Sequence, residues 1–151
     1  MSSIKPVDAA AETLQSSDCT ALRVRRLARR VTQLYDEALK PHGLTVGQFG
    51  ILGNLRRSHG IGIAALADRL SSDASTLSRL IRPLAALQLL SIEPDPADAR
   101  AKLLRLTDAG AERVRAAHPA WEAAQAQIRT RLGHERLNAL RFMIEDAFHQ
   151  L

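Results

Sequence analysis

Two stretches, Ile63-Ala-Ala-Leu-Ala-Asp-Arg-Leu70 and Asp73-Ala-Ser-Thr-Leu-Ser-Arg-Leu-Ile-Arg82, decide the fold. They read as two short helices joined by a tight turn. Downstream, Leu89-Leu-Ser-Ile-Glu93 and Ala101-Lys-Leu-Leu-Arg-Leu106 read as strands flanking the loop Pro94-Asp-Pro-Ala-Asp-Ala-Arg100. Two helices followed by a basic hairpin make a winged helix-turn-helix, in which the second helix enters the DNA major groove. That helix is expected from about Asp73 to Gln88, with Leu77, Leu80, Ile81 and Leu84 facing inward.

The flanks extend the pattern. Residues 18 to 40 predict a long helix, because Leu22, Leu27, Val31, Leu34 and Ala38 recur at steps of three to five. Asp18 or Ser17 can cap its start, and Pro41 and Gly43 end it. Thr45 caps a second helix, Val46 to about Arg57, with Phe49, Leu52 and Leu55 inward. Residues 58 to 62 form a break with room for one short strand. Thr107 caps a long helix running to about Leu132, and Pro119 inside it predicts a kink, as Pro83 does in the recognition helix. After Gly133-His134, a last helix carries Leu137, Leu140, Ile144, Ala147 and Leu151, with Phe142, Met143 and Phe148 widening the stripe.

The expected organisation is therefore a flexible arm over residues 1–17, a dimerisation helix over 18–43, a winged helix-turn-helix over 44–106, and C-terminal dimerisation helices over 107–151. The fold class is mainly α with a small β-hairpin wing. The long apolar helices exceed what a monomer of this size easily buries, which predicts a homodimer with interlocking ends. The competing arrangement is an intramolecular bundle.

Composition agrees. The chain has 151 residues, 46% hydrophobic and 25% charged, which fits a folded domain and excludes wholesale disorder. Aromatics are only 3%, so the core is aliphatic. The net charge of +5 points to a polyanionic partner, although an arginine-rich helical surface produces the same charge. One cysteine excludes an intrachain disulfide and a zinc finger. No run approaches the roughly 18 apolar residues of a membrane span, and no signal peptide is evident, so cytoplasmic residence is expected. The five histidines lack metal-ligand spacing, and there is no HExxH, GxSxG or P-loop. No cofactor and no enzymatic activity are expected.

Docking of the second helix assigns the contacts. Ser75, Thr76 and Ser78 offer hydroxyls to bases or phosphates, or else cap their own helix. Arg79 can grip guanine or phosphate. Arg82, Lys102 and Arg105 are candidate phosphate contacts. Arg100 at the wing tip can reach a minor groove, with Asp98 as its orienting partner; the plainer reading is an exposed turn ion pair.

The chain also resembles the MarR family of bacterial regulators. The resemblance rests on Leu44-Thr-Val-Gly-Gln-Phe49, Leu66-Ala-Asp-Arg-Leu70, Ser75-Thr-Leu-Ser-Arg79, Asp95-Pro-Ala-Asp-Ala-Arg100 and Leu106-Thr-Asp-Ala-Gly110, in that order. It covers about residues 20 to 150. It implies a winged-helix dimer, usually a repressor, that binds short palindromes and is released by a small molecule or an oxidant. Symmetry then predicts a pseudopalindromic operator in double-stranded DNA, with half-sites about one helical turn apart. Four positions depart from the family pattern: Ser71 replaces a common glycine, Ser72 an apolar residue, Gly62 a Ser or Thr cap, and Ala99 the first of two arginines.

The resemblance also bears on regulation. Cys19 lies at the start of the first helix, near Arg23, where a thiol can be activated. Some MarR relatives sense organic hydroperoxides through a cysteine near this point. When Thr32-Gln-Leu-Tyr35 is aligned with that branch, Cys19 falls about two residues early. Tyr35 then meets one of the two expected tyrosines, and the other falls on Arg25. Redox sensing and an incidental cysteine both stand as readings. An effector pocket between the lobes would draw on Arg30, Tyr35, His42, Phe49 and His118, each of which ordinary packing or exposure also explains. Trp121 is expected as a core or interface anchor. The alternative from another class is a winged-helix protein-interaction module with little DNA binding.

Overall fold

The computed structural model describes residues 19–151. They contain six α-helices and a small antiparallel sheet: α1 (Thr20–Leu39), α2 (Val46–Asn54), β1 (Ile61–Gly62), α3 (Ile63–Arg69), α4 (Ala74–Ala86), β2 (Leu90–Asp95), β3 (Asp98–Leu106), α5 (Asp108–Leu132) and α6 (His134–Gln150). The order in the sheet is β1-β3-β2. The mainly α class with a β wing is as the sequence predicts. The chain divides into two compact units between Leu34 and Tyr35, inside α1. The expected caps Asp18 and Ser17, and the expected arm over 1–17, lie outside the described residues.

In the second unit, the core is mainly aliphatic and contains the predicted inward residues Phe49, Leu52, Leu55, Leu77, Ile81 and Leu84. Leu39, Leu44, Phe49, Ile51, Leu52, Leu55, Leu66, Leu77, Ile81, Leu84, Leu89 and Leu104 are all buried. Ile51, like Leu39, Leu44, Leu66, Leu89 and Leu104, was absent from the spacing argument; Ile51 is buried because a helix packed on two sides buries residues beyond one stripe. The second helix is also shorter than predicted. It ends at Asn54, and Leu55 is already extended, at ψ 159°, with its side chain buried. Its start carries a full capping box. Thr45 Oγ1 accepts the Gln48 amide, and Gln48 Oε1 accepts the Thr45 amide. Asp36 adds a third acceptor, taking the Val46 amide at 2.7 Å.

Three helical segments close in the same way. The 3-10 turn Lys40–His42, α3 and α4 end in paired backbone bonds that run six-to-one and five-to-two. In α3 these are Ser72 N to Ala67 O at 2.9 Å and Ser71 N to Asp68 O at 3.1 Å. In α4 they are Leu89 N to Leu84 O and Gln88 N to Ala85 O. The motif needs one residue in the left-handed region. Gly43 supplies it at φ +67°, but Ser71 does so at +48° and Gln88 at +56°. Ser71, where glycine is common in the family, thus takes the left-handed conformation itself. This closure also ends the recognition helix at Ala86, short of the predicted Gln88. α4 continues through Pro83, and α5 continues through Pro119 to Leu132.

The wing is more regular than the sequence suggested. The seven-residue loop Pro94–Arg100 contracts to a two-residue turn, Pro96-Ala97, because Asp95 already pairs with Asp98. A register irregularity at Pro94/Asp95 absorbs the prolines, which cannot donate to the ladder. Arg100 therefore sits within β3 and not at the tip.

Candidate nucleic-acid interface

The turn after α3 and the cap of α4 present the recognition helix. Leu77, Ile81 and Leu84 anchor it, and Leu80 is half-buried. At three- and four-residue spacing on the other side stand Ser75, Ser78, Arg79 and Arg82. Arg79 and Arg82 are exposed, and so are Arg100 and Lys102 on the wing. Among the described residues, the side chains of these four cations have no hydrogen-bond or ion-pair partner in competition with a phosphate or base.

The hydroxyls are otherwise engaged. Asp73 is the N-cap of α4 and gathers the leading turn onto its carboxylate. Its Oδ1 accepts the Ser75 hydroxyl at 2.6 Å and the Thr76 amide at 2.8 Å, while Oδ2 accepts the Thr76 hydroxyl at 2.7 Å. These bonds, led by the one from Ser75, hold the Asp73 carboxyl well below the usual carboxylate range. The Ser78 hydroxyl donates to the Ala74 carbonyl at 2.7 Å. All three hydroxyls thus donate within the helix start in the free chain, but the cap itself is Asp73 and not any of them. Asp73 itself was not singled out from the sequence. Its signal was available: an Asp three residues before Thr76, at a helix start.

Two wing assignments change. Asp98 does not orient the Arg100 side chain; it accepts the Arg100 backbone amide at 3.0 Å, stiffening the turn. Arg105 is half-buried and tied down. Its Nε donates to Glu93 Oε2 at 3.2 Å, and its Nη1 donates to the Arg57 carbonyl at 3.2 Å. Glu93 also accepts the Ser91 hydroxyl at 2.9 Å. That bond and the one from Arg105 lower the Glu93 carboxyl below its ordinary value. Arg57 in turn pairs with Asp108, at the first residue of α5, at 2.9 Å. Arg105 is the middle of a strut from wing to α5, so of the three expected phosphate contacts only Arg82 and Lys102 are exposed.

The residues considered for an effector pocket have diverse settings. Arg30 belongs to the first unit, where it lines a shallow cleft of about 440 Å³ with Arg26, Arg29 and Gln33. In the second unit, Phe49 is core, stacked on Trp121 with centroids 6.0 Å apart. Trp121 in turn tilts against His118 at 5.6 Å. The carbonyl of His42 accepts Arg113 Nη1 at 3.1 Å beside an open cleft. Burial raises the Tyr35 phenol, and the charges of Arg141 and Arg129 oppose that rise. Another cleft, of about 690 Å³, is lined by Trp121, Glu122, Gln125, Arg129 and Arg141 among others. Cys19 is half-buried just before α1, and its carbonyl accepts the Arg23 amide at 3.2 Å.

Comparison with known proteins fits this geometry. The model of the MarR family matches residues 42–101, which span α2 to the middle of the wing. A structure of the transcriptional regulator MosR of M. tuberculosis in complex with DNA is 30% identical, with a TM-score of 0.74, covering 88% of this chain and 98% of that one. The chain belongs to the MarR family. As a transcriptional regulator of that family, it shares its fold with more distant members. A mutant MarR from E. coli complexed with operator DNA aligns at 23% identity and TM-score 0.74, over 84% of this chain and 91% of that one. BpsR of Bordetella bronchiseptica aligns at 24% identity and TM-score 0.76, over 87% and 94%. A search of curated proteins gives no match. No described helix of this MarR-family regulator is long and apolar enough to cross a membrane.

Proposed function

We propose that this regulator is a cytoplasmic homodimer that binds a pseudopalindromic operator in double-stranded DNA and represses transcription until a small molecule or an oxidant releases it. The observation that carries DNA binding is the exposed row Arg79–Arg82 on α4, beside Arg100 and Lys102 on the wing. These cations are free to meet phosphates and base edges, where helix docking places them. MosR, at 30% identity, is known in complex with DNA.

The dimer is supported by what α6 leaves uncovered. From Arg141 to its end, every residue is exposed, including Phe142 at 69%, Met143 at 60% and Phe148 at 63%. Apolar surface on that scale marks an association face. A C2 pair of recognition helices would set the half-sites about one helical turn apart. Regulation of BpsR DNA binding by 6-hydroxynicotinic acid supports a small-molecule signal. Cys19 supplies the oxidant arm.

The test combines sedimentation with gel shifts on the DNA upstream of the chain's own coding sequence. A dimer that binds a specific fragment more tightly than random duplex is expected. Loss of binding under organic hydroperoxide in wild type, but not in Cys19→Ser, would assign the signal to the thiol. A monomer that binds random and upstream DNA alike would overturn the proposal and favour a protein-interaction role.

A further inference from the structure

The leading turn of α4 has a hydrogen-bonding polarity. A hydroxyl has one proton to donate, and in this turn each of the three is spent within the protein. The Ser75 and Thr76 protons go to the Asp73 carboxylate at 2.6 and 2.7 Å, and the Ser78 proton goes to the Ala74 carbonyl at 2.7 Å. Bonds to an ionised carboxylate are the strong kind, so redirecting those two protons toward a base is costly. The Thr76 amide is likewise occupied, at 2.8 Å. Besides the Ala74 and Ser75 amides of the helix start, what this turn still presents outward is lone pairs: those of the hydroxyl oxygens and of Asp73 itself, on exposed residues 73, 75 and 76.

We infer that the side chains of Asp73, Ser75, Thr76 and Ser78 form an acceptor-only reading head, so that the operator half-site places an adenine N6 or a cytosine N4 amino group where this turn docks. The inference rests on the DNA-binding reading above and adds the chemistry of the bases. In the major groove only those two groups donate, whereas guanine N7 and O6, adenine N7 and thymine O4 all accept. The negative Asp73 also disfavours a phosphate at this end of the helix. Donors come one turn later, from Arg79, which lies three residues beyond Thr76 and about 4.5 Å along the axis. With base pairs about 3.4 Å apart, the half-site reads as an amino-bearing base followed, one or two pairs on, by guanine.

Full-length protein is first used to select tight sites from a randomised duplex. Within the selected half-site, each adenine is then replaced by purine and each cytosine by 2-pyrimidinone, which removes the amino group. In parallel, 7-deaza purines remove the N7 acceptor. Affinity is expected to fall roughly ten- to a hundredfold on loss of one amino group. It should be indifferent to 7-deaza substitution at that same base, with N7 sensitivity confined to the guanine facing Arg79. Asp73→Asn keeps an oxygen to cap Thr76 but adds donor hydrogens, so its selected sites should newly accept guanine under the turn. Amino groups that are dispensable while N7 is required beneath this turn would overturn the inference and leave the regulator reading intact. So would an Asp73→Asn protein that weakens on every duplex alike with unchanged preferences. If wild type selects no duplex above random, the DNA-binding reading falls and this one with it.

Discussion

The hydroxyl of Thr107 donates to the backbone carbonyl of Gln88 across 2.7 Å, while its oxygen accepts the Gly110 amide at 3.0 Å. One side chain therefore caps α5 and holds the left-handed residue that closes the recognition helix. Thr107→Val keeps the shape and removes both bonds. It should cost about 1–2 kcal/mol of stability in urea titration. Thr107→Ser should restore most of that, because it keeps the oxygen. A near-neutral Val beside a costly Ser would mean that the methyl group, and not the hydroxyl, matters.

Ser71 and Gln88 both occupy the left-handed region, where a Cβ is strained. Ser71→Gly should relieve that strain and stabilise the fold by about 0.5–1 kcal/mol, the unfolded-chain entropy of glycine offsetting part of the gain. For a chain of this size the shift in Tm would be about 1–4 °C. A lower Tm would show that the serine is held by something other than the backbone closure.

Gly110 lies against the chain entering β2. A Cβ there would stand 1.9 Å from the Leu89 carbonyl oxygen and 2.8 Å from the Leu106 side chain. The nearest atom is backbone and cannot step aside as a side chain would. Gly110→Ala should cost about 3 kcal/mol, read as a fall in the urea midpoint. A near-neutral alanine would mean that the start of α5 can move outward freely.

The exposed wing cations differ in how they should act. Arg100→Ala should weaken binding to a selected operator by about 1–3 kcal/mol. Lys102→Ala should weaken all duplexes similarly and flatten the salt dependence by about one unit of slope, as expected for one phosphate contact. Fluorescence anisotropy at several salt concentrations separates the two. An Arg100→Ala protein with unchanged affinity at matched salt would remove the wing from the interface.

Asp73 and Glu93 both titrate below their ordinary values in the fold. A carboxylate so depressed stabilises the native state fully above its unfolded pKa, about 3.9 for Asp. That contribution is lost as pH falls through the folded value. The stability difference between wild type and Asp73→Asn should thus be flat from neutral pH to about pH 5 and shrink only in strong acid. A difference that already changes near pH 6 would mean that another group is titrating.

Much of the architecture was legible because it depends on spacing along the chain. Leu77, Ile81 and Leu84 must share a helix face whatever surrounds them, and Thr45 before Val46, like Thr107 before Asp108, signals a helix start through local hydrogen bonding. The exposure of Arg79, Arg82, Arg100 and Lys102, the cations of the proposed interface, was legible for the same reason. Arg105 was misjudged because its partners, Glu93 and the Arg57 carbonyl, are distant in sequence and meet only through the sheet. The hydroxyls were half-read: that they stay engaged at the helix start was visible as an option, but not that Asp73 is the cap and that its carboxylate engages two of them.

The sequence by itself determined the helical class, the helix-turn-helix, the basic wing and the apolar faces of α5 and α6, since periodicity and capping act between residues a few positions apart. Tertiary structure alone decided that Arg105 braces the wing, that Pro96-Ala97 is the whole wing turn, that Ser71 and Gln88 take left-handed conformations, and that Thr107 binds Gln88. Each of those depends on where a backbone or side chain arrives in space after the core has closed. Hydrogen bonds act over about 3 Å, a distance the linear pattern does not encode.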